Sequence, residues 1–133
     1  NIALKKYGKK IGPDPSSISS AMMGGILANN ASGMCCGVKH NCYHTVKYIK
    51  FVLFSGNEYD TSNHEDYTRF ELEESILANK LTELRLRILN SDALINRIKY
   101  KYLLKNTVGY SINSFIDYEK PLDIFAHLAR KVH

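Results

Sequence analysis

The stretch Val46-Lys47-Tyr48-Ile49-Lys50-Phe51-Val52-Leu53-Phe54, followed by Ser55-Gly56-Asn57 and then Glu58-Tyr59-Asp60-Thr61, decides how this chain can fold. Its first nine residues are rich in β-branched and aromatic side chains, and Ser55-Gly56-Asn57 carries turn chemistry. The pattern predicts a strand over Val46–Phe54, a turn, and a second short strand over Glu58–Thr61: an antiparallel hairpin. Everything after it is helical in period. Thr68-Arg69-Phe70-Glu71 has capping-box spacing, and Leu77, Leu81, Leu84 and Ile88 then recur at helical intervals, with Arg85 and Arg87 near the end. A long amphipathic helix to about Asn90 follows from this. Ser91 or Asp92 caps a further helix with the stripe Leu94, Ile95, Ile98 and Tyr102, ending near Asn106. Ser111 caps a short helix over Ile112–Phe115, and Pro121, suited to a first helical position, opens a last one with Leu122, Phe125, Leu128 and Val132 on one face. A few strands early and several helices late give an α+β class, a small antiparallel sheet covered by helices.

The chain has 133 residues, 44% hydrophobic and 23% charged, which is globular composition in a single unit. No run approaches the roughly 18–20 apolar residues of a membrane span, and the start, Asn1-Ile2-Ala3-Leu4-Lys5-Lys6, lacks the layout of a signal peptide. A soluble, cytoplasmic protein without a membrane span is the expectation. The net charge of +5 raises a nucleic-acid reading. Its distribution weighs against one: lysines at 5, 6, 9 and 10, at 39, 47 and 50, and a group from Arg97 to Lys105 flank an acidic block from Glu58 to Glu74. No nucleic-acid partner is expected.

Three cysteines, Cys35, Cys36 and Cys42, are an odd number and describe no disulfide framework. With His40 and His44 they place five soft-metal donors in ten residues, and zinc takes four such donors. No second knuckle exists elsewhere, so small buried thiols and surface histidines are the simpler reading. A metal-binding or interaction module built on Cys35–His44 is the alternative function.

Ile2–Tyr7 can form a short basic helix ended by Gly8, and Pro13-Asp14-Pro15 forces an extended turn. Ser16 and Ser17 are placed to cap a short helix through Ile18, Ala21 and Met22, which runs into Gly24-Gly25. From Gly24 to Gly37 there is no charge in fourteen residues, but there are four glycines and two asparagines. This is backbone packed against something: either a ligand approached by main-chain N–H groups or another part of the chain.

The order of residues within this region carries a resemblance. Gly12-Pro13-Asp14-Pro15, Ala21-Met22-Met23-Gly24-Gly25 and Ala28-Asn29-Asn30-Ala31-Ser32-Gly33, with the later Lys105-Asn106-Thr107-Val108-Gly109-Tyr110, resemble the flavin-binding domain of FAD-linked oxidases of the vanillyl-alcohol oxidase and D-lactate dehydrogenase family. The resemblance implies that residues 1–133 form a partial FAD-binding domain, the second of its two subdomains. It implies FAD as cofactor and, for the parent protein, hydride transfer from a 2-hydroxy acid such as D-lactate, bound by a further domain. It places Pro13, Asp14 and Pro15 beside the cofactor, Gly24 and Gly25 at its diphosphate, and Asn29, Asn30, Ser32 and Gly33 along the flavin. Met22 stands where many relatives have threonine, so a hydroxyl is lost there. Gly109 and Tyr110 match a segment near the cofactor, although Tyr110 is equally readable as a core tyrosine. Segments that the family places before Asn1 and after His133 are not in the sequence. The expectation is therefore weak or absent FAD retention by this stretch alone, no independent turnover, and self-association through an unpaired subdomain face.

Overall fold

A computed structural model describes residues 2–13, 16–17, 19–31, 33, 37–104 and 109–129. The class is mixed α+β, a two-stranded antiparallel sheet packed with several helices. The strands are β1 (Lys50–Val52) and β2 (Glu58–Asp60), paired as Lys50 with Asp60, Phe51 with Tyr59, and Val52 with Glu58. The expected hairpin is present, and its ladder is shorter than the β-prone run from Val46. Two bonds extend the pairing past β1's start: Thr61 N–H donates to Ile49 O at 3.0 Å, and Ile49 N–H donates to Thr61 Oγ1 at 2.8 Å. Gly56 turns the chain at φ +87°, the left-handed region that glycine enters without steric cost.

Before the hairpin lie α1 (Ile2–Lys5), α2 (Met23–Ala28) and α3 (Cys42–Thr45); after it come α4 (His64–Glu73), α5 (Ser75–Leu89), α6 (Asp92–Leu103), α7 (Ser114–Asp117) and α8 (Pro121–Leu128). Four expectations shift. The first helix stops at Lys5 and turns through Gly8 instead of reaching Tyr7. Ser16 and Ser17 lie in a turn, and α2 begins at Met23, so Gly24 and Gly25 sit inside a helix and not beyond one. The long helix begins at His64, capped by Asn63, whose side chain accepts from Glu65 N–H; Thr68 and Glu71 lie within it. It also breaks at Glu74 (φ −112°, ψ 40°), whose carboxylate accepts from Ser55 Oγ at 2.6 Å and Asn57 Nδ2 at 3.0 Å, pinning the hairpin loop to the α4–α5 joint. Finally, α7 starts at Ser114, after turns at Ile112 and Asn113. Ser91 does cap α6, and Pro121 does open α8. The expected end of α6 near Asn106 and the stripe position Val132 lie outside the described residues.

The core is aromatic at its centre. Tyr59 from β2 and Phe70 from α4, both wholly buried, meet edge to face with centroids 5.2 Å apart. Phe125 of α8 approaches Phe70 at 6.1 Å and Phe51 of β1 at 5.4 Å, so four rings join the ribbon to two helices. Ala78 and Leu81 of α5, Phe115 of α7, and Leu122 and Ile124 of α8 close the cluster. Polar ties fix the frame: Asp66 Oδ2 accepts from Asp60 N–H at 2.7 Å, and Tyr67 Oη donates to Asp123 Oδ1 at 2.9 Å.

Truncation of Phe70 to alanine is expected to cost about 3–5 kcal/mol, while Phe54→Ala, at a fully exposed position, should stay within about 0.5 kcal/mol. Urea unfolding of the two variants measures the difference. Burial, and then the hydrogen bond to Glu73, pushes the Tyr59 hydroxyl from 10.0 up to about 12. The folded state therefore holds this proton more tightly than the unfolded chain. Its contribution is intact below pH 10 and lost as pH rises toward 12. Tyr59→Phe should flatten the alkaline decline of stability over that window, at the cost of one hydrogen bond at neutral pH.

Candidate functional site

The site builds outward from α2. Its N-cap residue, Met22, has extended backbone (φ −92°, ψ 153°) and offers no side-chain cap, and the first intrahelical bond runs from Ile26 N–H to Met22 O at 3.0 Å. The amides of Met23, Gly24 and Gly25 occupy the first turn, where a helix leaves its donors without internal partners. Both glycines are exposed, and a Cβ added at either would meet nothing within 4 Å. Among the described residues, packing therefore does not require glycine at 24 or 25. Gly12 is the opposite case: a Cβ there would come within 2.8 Å of the His40 carbonyl, so a close approach of two backbones demands glycine.

The exit of α2 is equally defined. Asn30 has φ +44°, its N–H donates to Leu27 O at 3.0 Å, and Ala31 N–H donates to Ile26 O at 2.9 Å. These two bonds around a left-handed residue make a Schellman ending with asparagine in the place glycine usually takes. Asn30 is buried, and its side-chain oxygen accepts from Tyr43 N–H at 3.0 Å. Cys42 Sγ, beside it, reaches Ile26 O at 3.5 Å. The asparagine oxygen is thus spent on holding the chain, and what it presents outward is the shape of the backbone.

Two grooves of comparable size flank α2. One, about 440 Å³, runs between Gly24, Leu27 and Ala28, the strand segment Ile49–Phe54, and Phe125, Ala126 and Ala129 of the last helix; its wall is largely apolar. The other, about 530 Å³, lies between Met23, Ile26 and Leu27 and the segment Lys10-Ile11-Gly12-Pro13, with His40, Cys42, Thr45 and Val46 closing it. Lys10 is the permanent cation on that wall. The structure thus brings Pro13, Gly24 and Gly25 to one helix and its margins, with Met22 exposed at the helix entrance and Asn29 and Asn30 at its end. Gly33 follows at φ +65°.

Gly109 and Tyr110 line neither groove. Tyr110 is exposed, and its carbonyl accepts from Tyr102 Oη at 2.8 Å, which removes the core-tyrosine reading. The flanks of that stretch do come to the site: Leu104, Ser111 and Asn113 share a water-sized cavity of about 20 Å³ with Asn30 and Tyr43. Asp14, Pro15, Ser32, Cys35 and Cys36 lie outside the described residues. Among the described residues no group of three or more histidine, cysteine or acidic side chains is arranged to hold a metal, and no helix is long and apolar enough to cross a membrane. The residue that sequence reasoning passed over is Tyr43. Its signal was the run Asn41-Cys42-Tyr43-His44-Thr45, in which Asn41 caps α3 by accepting from His44 N–H at 3.1 Å.

Comparison with known families falls on this same region. Residues 1–62 match the family described as FAD binding domain, a family of FAD-linked oxidoreductases; the matched segment is just under half of the chain. FAD is the cofactor this match implies. No curated protein and no solved structure matches the chain. The uncapped first turn and the two open glycines suit a group that brings negative charge close to main-chain N–H donors, as the diphosphate of FAD does.

Because no atom opposes a Cβ at either position, Gly25→Ala should stabilise the isolated chain by about 0.5–1 kcal/mol through helix propensity alone. Gly12→Ala should destabilise it. Thermal unfolding of the two variants side by side separates a glycine the fold needs from one it does not.

Proposed function

We propose that this chain is the flavin-holding part of an FAD-dependent oxidoreductase that oxidises a 2-hydroxy acid such as D-lactate. The match over residues 1–62 carries the reading, because it encloses α2 and both margins where the open glycines lie. The order of the proline turn, the paired glycines and the paired asparagines supports the narrower assignment to 2-hydroxy acids. FAD, when bound, supplies the hydride acceptor.

The roles of the chain's own residues follow from their placement. The first-turn amides of Met23, Gly24 and Gly25 donate toward the diphosphate, and the missing side chains at 24 and 25 let it approach. Lys10 stands on the wall of the groove that Met23 also lines and adds a positive charge near the start of α2. The left-handed turn at Asn30 steers the chain from the end of α2 into the flavin-facing segment. Met22 contributes its backbone only. The exposed Phe54 beside the apolar groove favours contact with a further domain or a second copy.

Titration with FAD tests the cofactor role. The chain alone should quench flavin fluorescence saturably but retain less than one equivalent after desalting. Changing both Gly24 and Gly25 to alanine should weaken binding at least tenfold while raising the melting temperature. Equal affinity for the double variant and the parent sequence would remove the glycines from the site. Anaerobic bleaching of flavin by D-lactate or another 2-hydroxy acid, in a protein that carries this segment together with its substrate domain, checks the substrate class; an unbleached spectrum with all of them would overturn that assignment.

A further inference from the structure

We propose that Asp117, in the half of the chain beyond the matched segment, is a positioning residue for the cofactor-facing segment that begins at Asn29, and that it acts through Tyr43 and Asn30. The inference rests on the flavin reading above for its functional meaning, although the linkage itself is structural. Tyr43 is buried, and its hydroxyl donates to Asp117 Oδ2 at 2.6 Å across 74 residues of sequence. The same carboxylate oxygen accepts from Asn113 Nδ2 at 2.9 Å. A short bond to a carboxylate is the strong kind, and two donors converging on one oxygen fix where it lies.

From Tyr43 the linkage runs the other way through the backbone. Its N–H is the donor to Asn30 Oδ1, and Asn30 is the one non-glycine residue with a left-handed backbone among the described residues. Asparagine tolerates that region better than most residues, but it needs its side chain tied down to stay there. The tie is to Tyr43. The Tyr43 ring is held edge-on against Tyr118 and His127, with centroids at 6.3 and 5.5 Å, so its two ends move together.

Asn113 supplies a second, independent sign. It is buried, and its Oδ1 has no hydrogen-bond partner among the described residues, while its Nδ2 serves Asp117. Asn30, Tyr43 and Asn113 also line one water-sized cavity, so the residues of the linkage are packed around a common point. Nothing in this arrangement touches the grooves beside α2 directly; Asp117 acts at a distance, by holding the turn that shapes them.

The test uses the full chain in four forms: Asp117→Ala, Asp117→Asn, Tyr43→Phe, and Leu81→Ala as a core variant far from the linkage. Hydrogen exchange is read without flavin, and FAD affinity by titration. Asp117→Ala and Tyr43→Phe are expected to speed exchange at least tenfold in peptides spanning Asn29–Gly33 and in α3, while exchange in α5 stays at the parent level. Both should weaken FAD binding by a similar factor. Asp117→Asn, which keeps an acceptor oxygen, should recover most of the protection and affinity. Leu81→Ala should loosen α5 and leave the Asn29–Gly33 peptides unchanged. If Asp117→Ala does not fold, Tyr43→Phe carries the same comparison. Uniform acceleration across all helices, or an asparagine variant as impaired as the alanine one, would overturn the proposal. A parent chain that binds no FAD would sink the flavin reading alone, since the exchange arm still decides the linkage.

Discussion

A two-stranded ribbon does not hold its shape in water without a surface to lie on, and here that surface is a set of aromatic rings. Tyr59 and Phe70 meet edge to face at the centre of the core, with Phe51 and Phe125 completing the contact between ribbon, α4 and α8. Register follows from this contact. Phe51 and Tyr59 are cross-strand partners on the same face, and a one-residue slip of either strand would turn its ring away from the core. The apolar groove beside α2 has Phe51 and Phe125 in its far wall, so the same ring packing that holds the ribbon also shapes the candidate site.

The chain divides functionally in a way its sequence does not announce. Residues 1–62 hold α2 and its grooves, while the helices that follow supply most of the buried core. Among the bonds between the two parts are Tyr43 to Asp117, Tyr59 to Glu73, Asp60 N–H to Asp66, Tyr67 to the Thr61 carbonyl, and Glu74 to the hairpin loop. The first part is held to the helical part by ring packing as well, Phe51 and Tyr59 at the core and Tyr43 against Tyr118 and His127. Gly24 and Gly25 face outward with space above them, while Gly12 is held against the His40 backbone.

Elements written in local chemistry were legible in the sequence. The hairpin showed in its β-branched and aromatic run and its glycine turn, α6 in Ser91, and α8 in Pro121 at its first position. Those decided by distant contacts were not. Asn63, not Thr68, caps α4, and Asp66 in its first turn is tied to the β2 backbone, a contact that the capping-box spacing at Thr68 does not show. Paired glycines argue against a helix by propensity, yet α2 forms over them because Ile26 is buried and the Schellman bonds close its end. Asn30 was readable as a polar group for a ligand, and its left-handed backbone became evident only with Tyr43 in place. Asp117 gave no signal, since its partner lies far up the chain.

That separation in sequence has a kinetic side. The hairpin contacts join near neighbours, whereas the Tyr43 bond spans 74 residues and gains nothing until both ends are already formed. The order of assembly this favours is ribbon first, clasp afterwards, and the left-handed turn at Asn30 with it. A segment completed late in folding opens at low cost in the native state, so the same bond sets how readily the turn at the end of α2 loosens.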